Sequence, residues 1–575
     1  MMNFRLVCLL ACVNAILFTA PLLHAQQQGN PHSNLVRMHH EAEDHPYLPN
    51  QWHNRKQTPA YRFSKPASGQ ANRSAGTAST IFTVQVNVDP ATGQNITGDA
   101  ANEPSITRSE GNPGVMVIGW RQFDNILSNF RQAGWAYTTD SGLSWTFPGV
   151  IDPGIFRSDP VLDHDADGAI YYNSLTNSPT YMCKVFRSDD GGVTWDAGTD
   201  AAGGDKQWMA IDRSSGPVSN NIYSFWTDDY SSCNPDAFTR SPDNGVGYEP
   251  CTSIPGAPAL GTMTVDRNGV LYVAGVSDSV SDFLVVKSLN AQFDSPPVSW
   301  EPYVQVSLDG WLNGWAQVNP VGLYGQVNID VDRSNGPGQD NVYILAPVMR
   351  SSNGDPSDIM FSRSTDGGLT WSPAVRINDD NSVNNTQWFG TMSVAPNGRI
   401  DVIWLDTRED SLGLDMSALY YSFSTDQGVT WSANEKLSPE FDPHVGYPMQ
   451  MKMGDYFDME SDSLGAHLAW AGTFNGEQDV YYSYIQPPVS TGIQSVPARQ
   501  AYSVFPNPCR GILYLKGPAH NTKVDLYSVQ GQLLFSIFLS GYRNTLDISA
   551  LPSGMYFLNI RESDGRTFTK KVVRE

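Results

Sequence analysis

RSTDGGLTW, residues Arg363 to Trp371, is one copy of a phrase that this chain writes five times. RSDDGGVTW runs from Arg187 to Trp195, TTDSGLSW from Thr138 to Trp145 and STDQGVTW from Ser424 to Trp431, and a looser RSPDNGVGY runs from Arg240 to Tyr248. The shared core, Ser/Thr-x-Asp-x-Gly-x-x-Trp/Tyr, has the chemistry of a tight hairpin. The Asp carboxylate accepts hydrogen bonds from amides of its own turn, and Gly supplies the positive φ. The flanks alternate apolar and polar residues as strands do, and the closing aromatic folds back over the turn.

Outward from each turn a larger unit emerges. A short apolar strand opens it, a second strand follows a Gly turn, and a loop then leads into the strand that descends to the Asp turn. The opening strands read PSITR (from Pro104), PVLDHD (Pro160), QWMAID (Gln207), GTMTVD (Gly261), QVNIDV (Gln326), GTMSVA (Gly390) and GDYFDM (Gly454). The second strands read VMVIGW, IYYNSL, IYSFW, LYVAGV, VYILAP, IDVIWL and HLAWAG. Seven units of about 55 residues thus lie between Ala100 and Gln486, and four strands per unit is the sequence signature of a β-propeller. The expected fold is all-β: a seven-bladed β-propeller of four-stranded blades, followed by a small β-sandwich-like module. The Asp turn is degraded in the fourth unit (Ser288 to Trp300) and absent from the seventh. The alternating strand IFTVQVNV, Ile81 to Val88, is the natural partner to complete the last unit, because an open ring would expose two sheet edges.

Composition agrees with many short strands: aromatics make up 11% of the 575 residues, and there are 50 Gly and 38 Pro. With 36 basic against 59 acidic residues, net −23, nucleic acid and anionic membrane surfaces are poor partners. Of six cysteines, Cys233 and Cys251 flank one expected hairpin, where an oxidising compartment would allow them to pair. No CxxC pair is present, and neither a metal nor a cofactor is expected.

Residues 1–25 read as a secretory signal peptide with cleavage near Ala25; LLAC, ending at Cys12, imitates a lipoprotein box but lies badly within the apolar run. No other stretch approaches the ~20 apolar residues of a membrane span. Residues 26–80 read as a flexible arm whose His39, His40, His45 and His53 lack a fixed ligand spacing. The propeller occupies 81–486, a Pro/Ser-rich linker 487–500, and a strand-rich C-terminal module 501–575.

Two families are resembled. The Ser-x-Asp-x-Gly-x-x-Trp units resemble the Asp-box repeats of sialidase-like propellers, a likeness that covers the five turns and their blades and speaks to fold more than activity. The C-terminal module, with FPNP (from Phe505), PSG-x-Y (from Pro552) and a terminal KKVVRE, looks like the type A sorting domain of the type IX secretion system of Bacteroidetes. That resemblance implies periplasmic entry, recognition by the secretion machinery and export across the outer membrane. The product would be secreted or held at the cell surface, with the module removed or anchored.

In a propeller the opening strands line the channel. Their starts and the loops after the second strands share one face, and the Asp turns lie on the other. The repeated Asp140, Asp190, Asp243, Asp366 and Asp426 therefore read as structural. The opposite face collects Glu103, Asp159, Asp205 with Lys206, Trp388, and Lys452 with Asp455 at strand starts. Its loops add Trp120-Arg121 with Asp124, Trp226-Thr227-Asp228-Asp229, and Trp404 with Asp406 and Arg408, while Arg157 lies in the crossing between units one and two. Aromatic faces and carboxylate pairs suit a sugar; the same charges also suit rim salt bridges between blades. The sialidase resemblance implies a three-arginine clamp, here Arg121, Arg157 and Arg408, with Asp159 or Asp124 as acid/base and Tyr456 with Glu460 as nucleophile pair. FRSDP (Phe156 to Pro160) only loosely replaces the Arg-Ile-Pro motif of that family, which has six blades where this chain shows seven. DHDADG (Asp163 to Gly168) imitates a calcium loop, but position twelve is Ser174, and DRNG from Asp266 marks the same place as a hairpin turn. Two readings follow: a glycan-processing, exo-sialidase-like hydrolase acting on exposed glycans, or a non-catalytic propeller that binds glycans or proteins at the cell surface. On either, the expected pocket is at the channel mouth away from the Asp turns, with at least two of the three arginines facing one anion.

Overall fold

Each opening strand read from the sequence becomes a strand of an antiparallel sheet, paired with the second strand of its unit. The structure, a computed structural model, describes residues 56–65, 78–177, 180–214, 219–228, 230–277, 282–314, 317–488, 503–516, 522–539, 543–561 and 567–575. The signal peptide, the His39 to His53 cluster, Asp229 and most of the 487–500 linker lie outside these residues. Two compact units are present, Met1–Val489 and Ser490–Glu575, and the described residues contain no helix.

In the first unit, the first sheet runs Ala100–Arg108, Met116–Phe123, Gln132–Thr138, Thr146–Ile151, and the second Ser158–His164, Ile170–Thr176, Met182–Ser188, Thr199–Asp200. The third has three strands, starting at Trp208–Ile211; the fourth starts at Met263–Val265 and the sixth at Gln387–Val394. The fifth adds Gly310–Leu312 to the sheet containing Asn328–Val331. In the seventh, Asp458–Ser461, Ala466–Gly472 and Asp479–Gln486 are joined by Thr80–Gln85, with Ile81 opposite Ile485 and Val84 opposite Tyr482. A further strand, Arg62–Lys65, flanks Thr80–Gln85. This part of the expected flexible arm is therefore ordered. Tyr61 stacks on Phe474 with ring centroids 4.4 Å apart and meets Tyr481 edge-on, so aromatic burial fixes a segment without strand periodicity.

The Asp turns hold themselves. At Asp366 the Ser364 hydroxyl donates to Oδ1 (2.7 Å), the Thr370 amide donates to Oδ1 (2.9 Å) and the Thr370 hydroxyl donates to Oδ2 (2.6 Å). The Gly368 amide donates back to the Ser364 hydroxyl oxygen (2.8 Å). Asp140, Asp190 and Asp426 repeat the pattern, and Asn290 substitutes for the Asp in the fourth sheet. The Thr370 hydroxyl, followed by the turn amides, lowers the Asp366 carboxyl to about 2.

Neighbouring sheets are tied at the inner strands by side chains, with isolated backbone bridges added at Gly261–Val327 and Ser357–Thr386. Leu162 N–H donates to Ser105 Oγ (2.9 Å), Ile211 N–H to Asp163 Oδ2 (2.8 Å), Ile329 N–H to Thr262 Oγ1 (2.9 Å), Val394 N–H to Asp330 Oδ2 (2.8 Å) and Ser461 N–H to Ser393 Oγ (2.9 Å). The seventh sheet reaches the first in the same way: Ile106 N–H donates to Asp458 Oδ2 and Arg108 N–H to Glu460 Oε2, both at 3.0 Å. Each bond satisfies an inner-strand amide that has no strand neighbour on that side. Cys233 and Cys251 form a disulfide.

The second unit packs a three-stranded sheet (Ser503–Phe505, Ile512–Lys516, Arg543–Asp547) against a four-stranded one (Leu533–Leu539, Thr522–Ser528, Gly554–Arg561, Thr567–Arg574). Leu513, Leu515 and Leu546 meet Val524, Leu526, Leu558, Ile560 and Val572 between them. The Tyr556 hydroxyl donates to the Pro552 carbonyl (2.6 Å), closing the PSG-x-Y turn.

Candidate functional site

The inner strands begin with an unusual backbone. Glu103, Asp159 and Lys206 take φ of 48°, 49° and 56°, and Leu260 and Phe389 do the same at the fourth and sixth sheets. Left-handed backbone at non-glycine residues costs energy and persists where packing dictates it. Strand pairing shifts register here, between Asn102 and Ser105 in the first sheet and between Trp388 and Thr391 in the sixth. In sheets one and two the shift, and before sheet three the left-handed Lys206, turns charged side chains to a common centre. Gly454 (φ 101°) completes the approach, since a Cβ there would run into the Glu103 side chain.

A closed ionic network results. Arg121 Nε lies 3.0 Å from Glu103 Oε2 and donates to Asn102 Oδ1 (2.9 Å), and Lys452 Nζ lies 3.5 Å from Glu103 and 2.6 Å from Asp455. Lys206 Nζ lies 2.7 Å from Asp455, 3.4 Å from Asp159 and 3.7 Å from Asp205. None of these eight residues is more than 3% exposed. Burial lifts Glu103 to about 7 against the pull of Arg121 and Lys452. Burial also works to raise Asp159, but Lys206 above all holds it below the usual carboxylate range. Lys206 is itself raised, its three carboxylates overcoming desolvation.

The other expected site residues are spent elsewhere. Arg157 donates to Asp152 (2.8 Å) and lies over the Phe186 ring; Arg408 donates to Asp406 (2.8 Å) and Asp379 (2.7 Å) and lies over Tyr420. Each of the three guanidiniums meets a carboxylate, because burial makes an unpaired cation costly, while Arg121 Nη2 and Arg157 Nε and Nη1 are buried without a hydrogen-bond partner. Trp120 and Trp404, expected to offer ring faces, are fully buried, donating to Gln122 Oε1 and Asp406 Oδ2 at 2.7 Å. Asp124 accepts from Gln132 (2.9 Å). The buried Tyr456 hydroxyl donates to the Pro160 carbonyl (2.9 Å), whereas Glu460 binds Arg108, so the two engage different partners. Asp165 accepts the Asp167 and Ala169 amides, which makes DHDADG a hairpin turn.

A cavity of about 440 Å³ occupies the middle and far end of the inner strands. Its lining includes exposed Glu110, Arg213, Arg333 and Pro396 at the turns that follow the first strands. These turns share an end of the sheets with the Asp turns, as the Ser141 N–H to Gly114 carbonyl bond (3.0 Å) shows. The cavity therefore lies toward the Asp-turn face, not the expected one, and includes none of Arg121, Arg157 and Arg408. Its signal in the sequence was the opening strands themselves, whose alternate residues (Thr107, Asp163, Asp330, Asp458) project from one side. Asp458 is raised to about 7, by burial against the opposing Ser105 hydroxyl and Ile106 amide.

Comparison with known proteins bears on the two units unequally. Residues 503–575 match the secretion system C-terminal sorting domain. A type IX sorting domain of this kind directs the chain to the cell surface or beyond it in Bacteroidetes. Among solved structures, the chain is similar to a protein of unknown function from Dyadobacter fermentans (14% identity, covering 70% of this chain and 98% of that one, TM-score 0.40). It is also similar to a Hadza microbial sialidase (13%, 67% and 65%, TM-score 0.35). A third is PorZ, a surface component of the type IX secretion system of Porphyromonas gingivalis (14%, 87% and 74%, TM-score 0.27). No curated protein matches the chain.

Proposed function

We propose that the first unit is a closed seven-bladed propeller, exported by the type IX route, that binds a glycan or glycoprotein at the cell surface without cleaving it. Closure is supported by the seventh sheet's Asp458 and Glu460, which receive the amides of Ile106 and Arg108 in the first. The observation that carries the functional reading is the sealed network. Glu103, Asp159, Asp205 and Asp455 are held by Arg121, Lys206 and Lys452 at 0–3% exposure, and the Tyr456 hydroxyl is already donated to a carbonyl. General acids and nucleophiles must lie within about 3 Å of a substrate atom, and these have no open side for one. The raised Glu103 has the pKa of a general acid, the one feature that favours a hydrolase.

The test is incubation of the secreted protein with a panel of aryl glycosides that includes a sialoside, alongside a glycan-binding array. Saturable binding with no aryl release is the expected result. Release that disappears in both Asp159→Asn and Arg121→Ala would restore the hydrolase.

A further inference from the structure

We infer that the cavity at the Asp-turn end of the channel takes the neutral, polyhydroxylated end of a glycan and discriminates against acidic sugars. The inference rests on the binding reading above and deepens it by naming the site and the ligand class. At about 440 Å³ the cavity falls within the ~300–1,000 Å³ of small-molecule sites. Its walls are part apolar: Met209, Met263, Met392 and Met459, buried at 2–6% exposure on four different sheets, back it, and methionine adapts to an irregular C–H surface such as a sugar ring.

The charges decide the ligand's class. Three arginines line the cavity, and each is already neutralised: Arg108 by Glu460 (3.4 Å), Arg213 by Asp163, and Arg333 by Asp330 (2.9 Å). The Arg333 guanidinium also donates to the Val265 carbonyl (2.8 Å) and to Thr264. An incoming carboxylate would lie beside Asp163, Asp330 or Glu460 and be repelled by it, even where a guanidinium has a donor to spare. A hydroxyl pays no such penalty, because it donates to the carboxylate and accepts from the guanidinium of an intact pair. One group is unspent. Ser461 is one of the residues around the cavity and 4% exposed; its hydroxyl is buried just behind the wall with no hydrogen-bond partner, although its backbone amide is held by Ser393. A buried polar group of this kind gains most from a ligand hydroxyl.

The experiment is calorimetric titration of the full-length secreted protein with the methyl glycosides of glucose, galactose, mannose and N-acetylglucosamine, and with N-acetylneuraminate. At least one neutral glycoside is expected to bind saturably, ten-fold or more tighter than N-acetylneuraminate. Ser461→Ala, which keeps the backbone bond, is expected to weaken that binding about five-fold, the worth of one neutral hydrogen bond. Glu460→Gln keeps an acceptor for the Arg108 amide but removes one of the two carboxylates on its guanidinium, leaving Asp462 at 3.4 Å, and is expected to narrow the gap between neutral and acidic sugars. Equal or tighter binding of N-acetylneuraminate by the unaltered protein overturns the inference. So does neutral-glycoside binding that Ser461→Ala leaves unchanged, which would move the site but preserve the binding reading. Failure of every glycoside here and of every glycan on the array would overturn both.

Discussion

Replacing Lys206 by Met puts the sealed network to the sharpest test. The ammonium lies 2.7 Å from Asp455, 3.4 Å from Asp159 and 3.7 Å from Asp205, and Met fills much the same space without charge. At an effective dielectric of about 20, each such contact is worth about 4–6 kcal/mol of Coulomb energy, against which stands a desolvation cost of several kcal/mol per ion. Removing one partner of a buried set leaves the others uncompensated, so the net expected loss is about 3–5 kcal/mol. Its pH dependence follows from the same geometry. Without Lys206, the folded-state pKa values of the three carboxylates rise above the unfolded value of about 4. A carboxyl so raised gives its full contribution below the unfolded pKa and loses it as pH rises, so the deficit should be smaller at pH 5 than at pH 8. Urea unfolding followed by tryptophan fluorescence, compared at unchanged m, measures both. A loss under 1 kcal/mol at pH 8, or one equal at the two pH values, would refute the reasoning.

Further outcomes follow from other parts of the chain. Asp458 and Asp479 are both raised to about 7 by burial, against about 4 unfolded, so their contribution is lost as pH climbs through 7; thermal melts should show a higher Tm at pH 5.5 than at pH 8, with the slope reduced in Asp458→Asn. Asp366→Ala removes the acceptor of the Thr370 amide and hydroxyl in a single exposed turn and should cost about 1 kcal/mol by urea titration, with glycan binding unaltered. Deleting residues 503–575 should leave the first unit in the periplasm, as fractionation and immunoblotting would show.

The repeated turn made the strand order legible because its chemistry is local: a carboxylate, a hydroxyl and a glycine within eight residues fix a hairpin whatever surrounds it. The pairing of Ile81 with Ile485 was legible for a different reason, the need of the last unit for a partner. Residues 56–65 were not, since what orders Tyr61 is Phe474 and Tyr481, far along the chain. The site was half legible. Glu103, Asp159, Asp205, Arg121, Lys206 and Lys452, all placed on one face by their strand starts and loops, do come together, but no spacing reveals that the cations close on the carboxylates and seal them. Trp120 and Trp404 misled because an aromatic before a loop reads alike whether its ring faces solvent or the next sheet. The cavity lies where the Asp turns had seemed to leave only structure.

Binding without cleavage is tested most directly by mass spectrometry of a mixed glycan pool before and after incubation with the secreted protein. Every glycan should be recovered at its original mass, with a subset ending in neutral sugars depleted from the unbound fraction and released intact on denaturation. A free monosaccharide, together with the matching shortened glycan, would contradict the account.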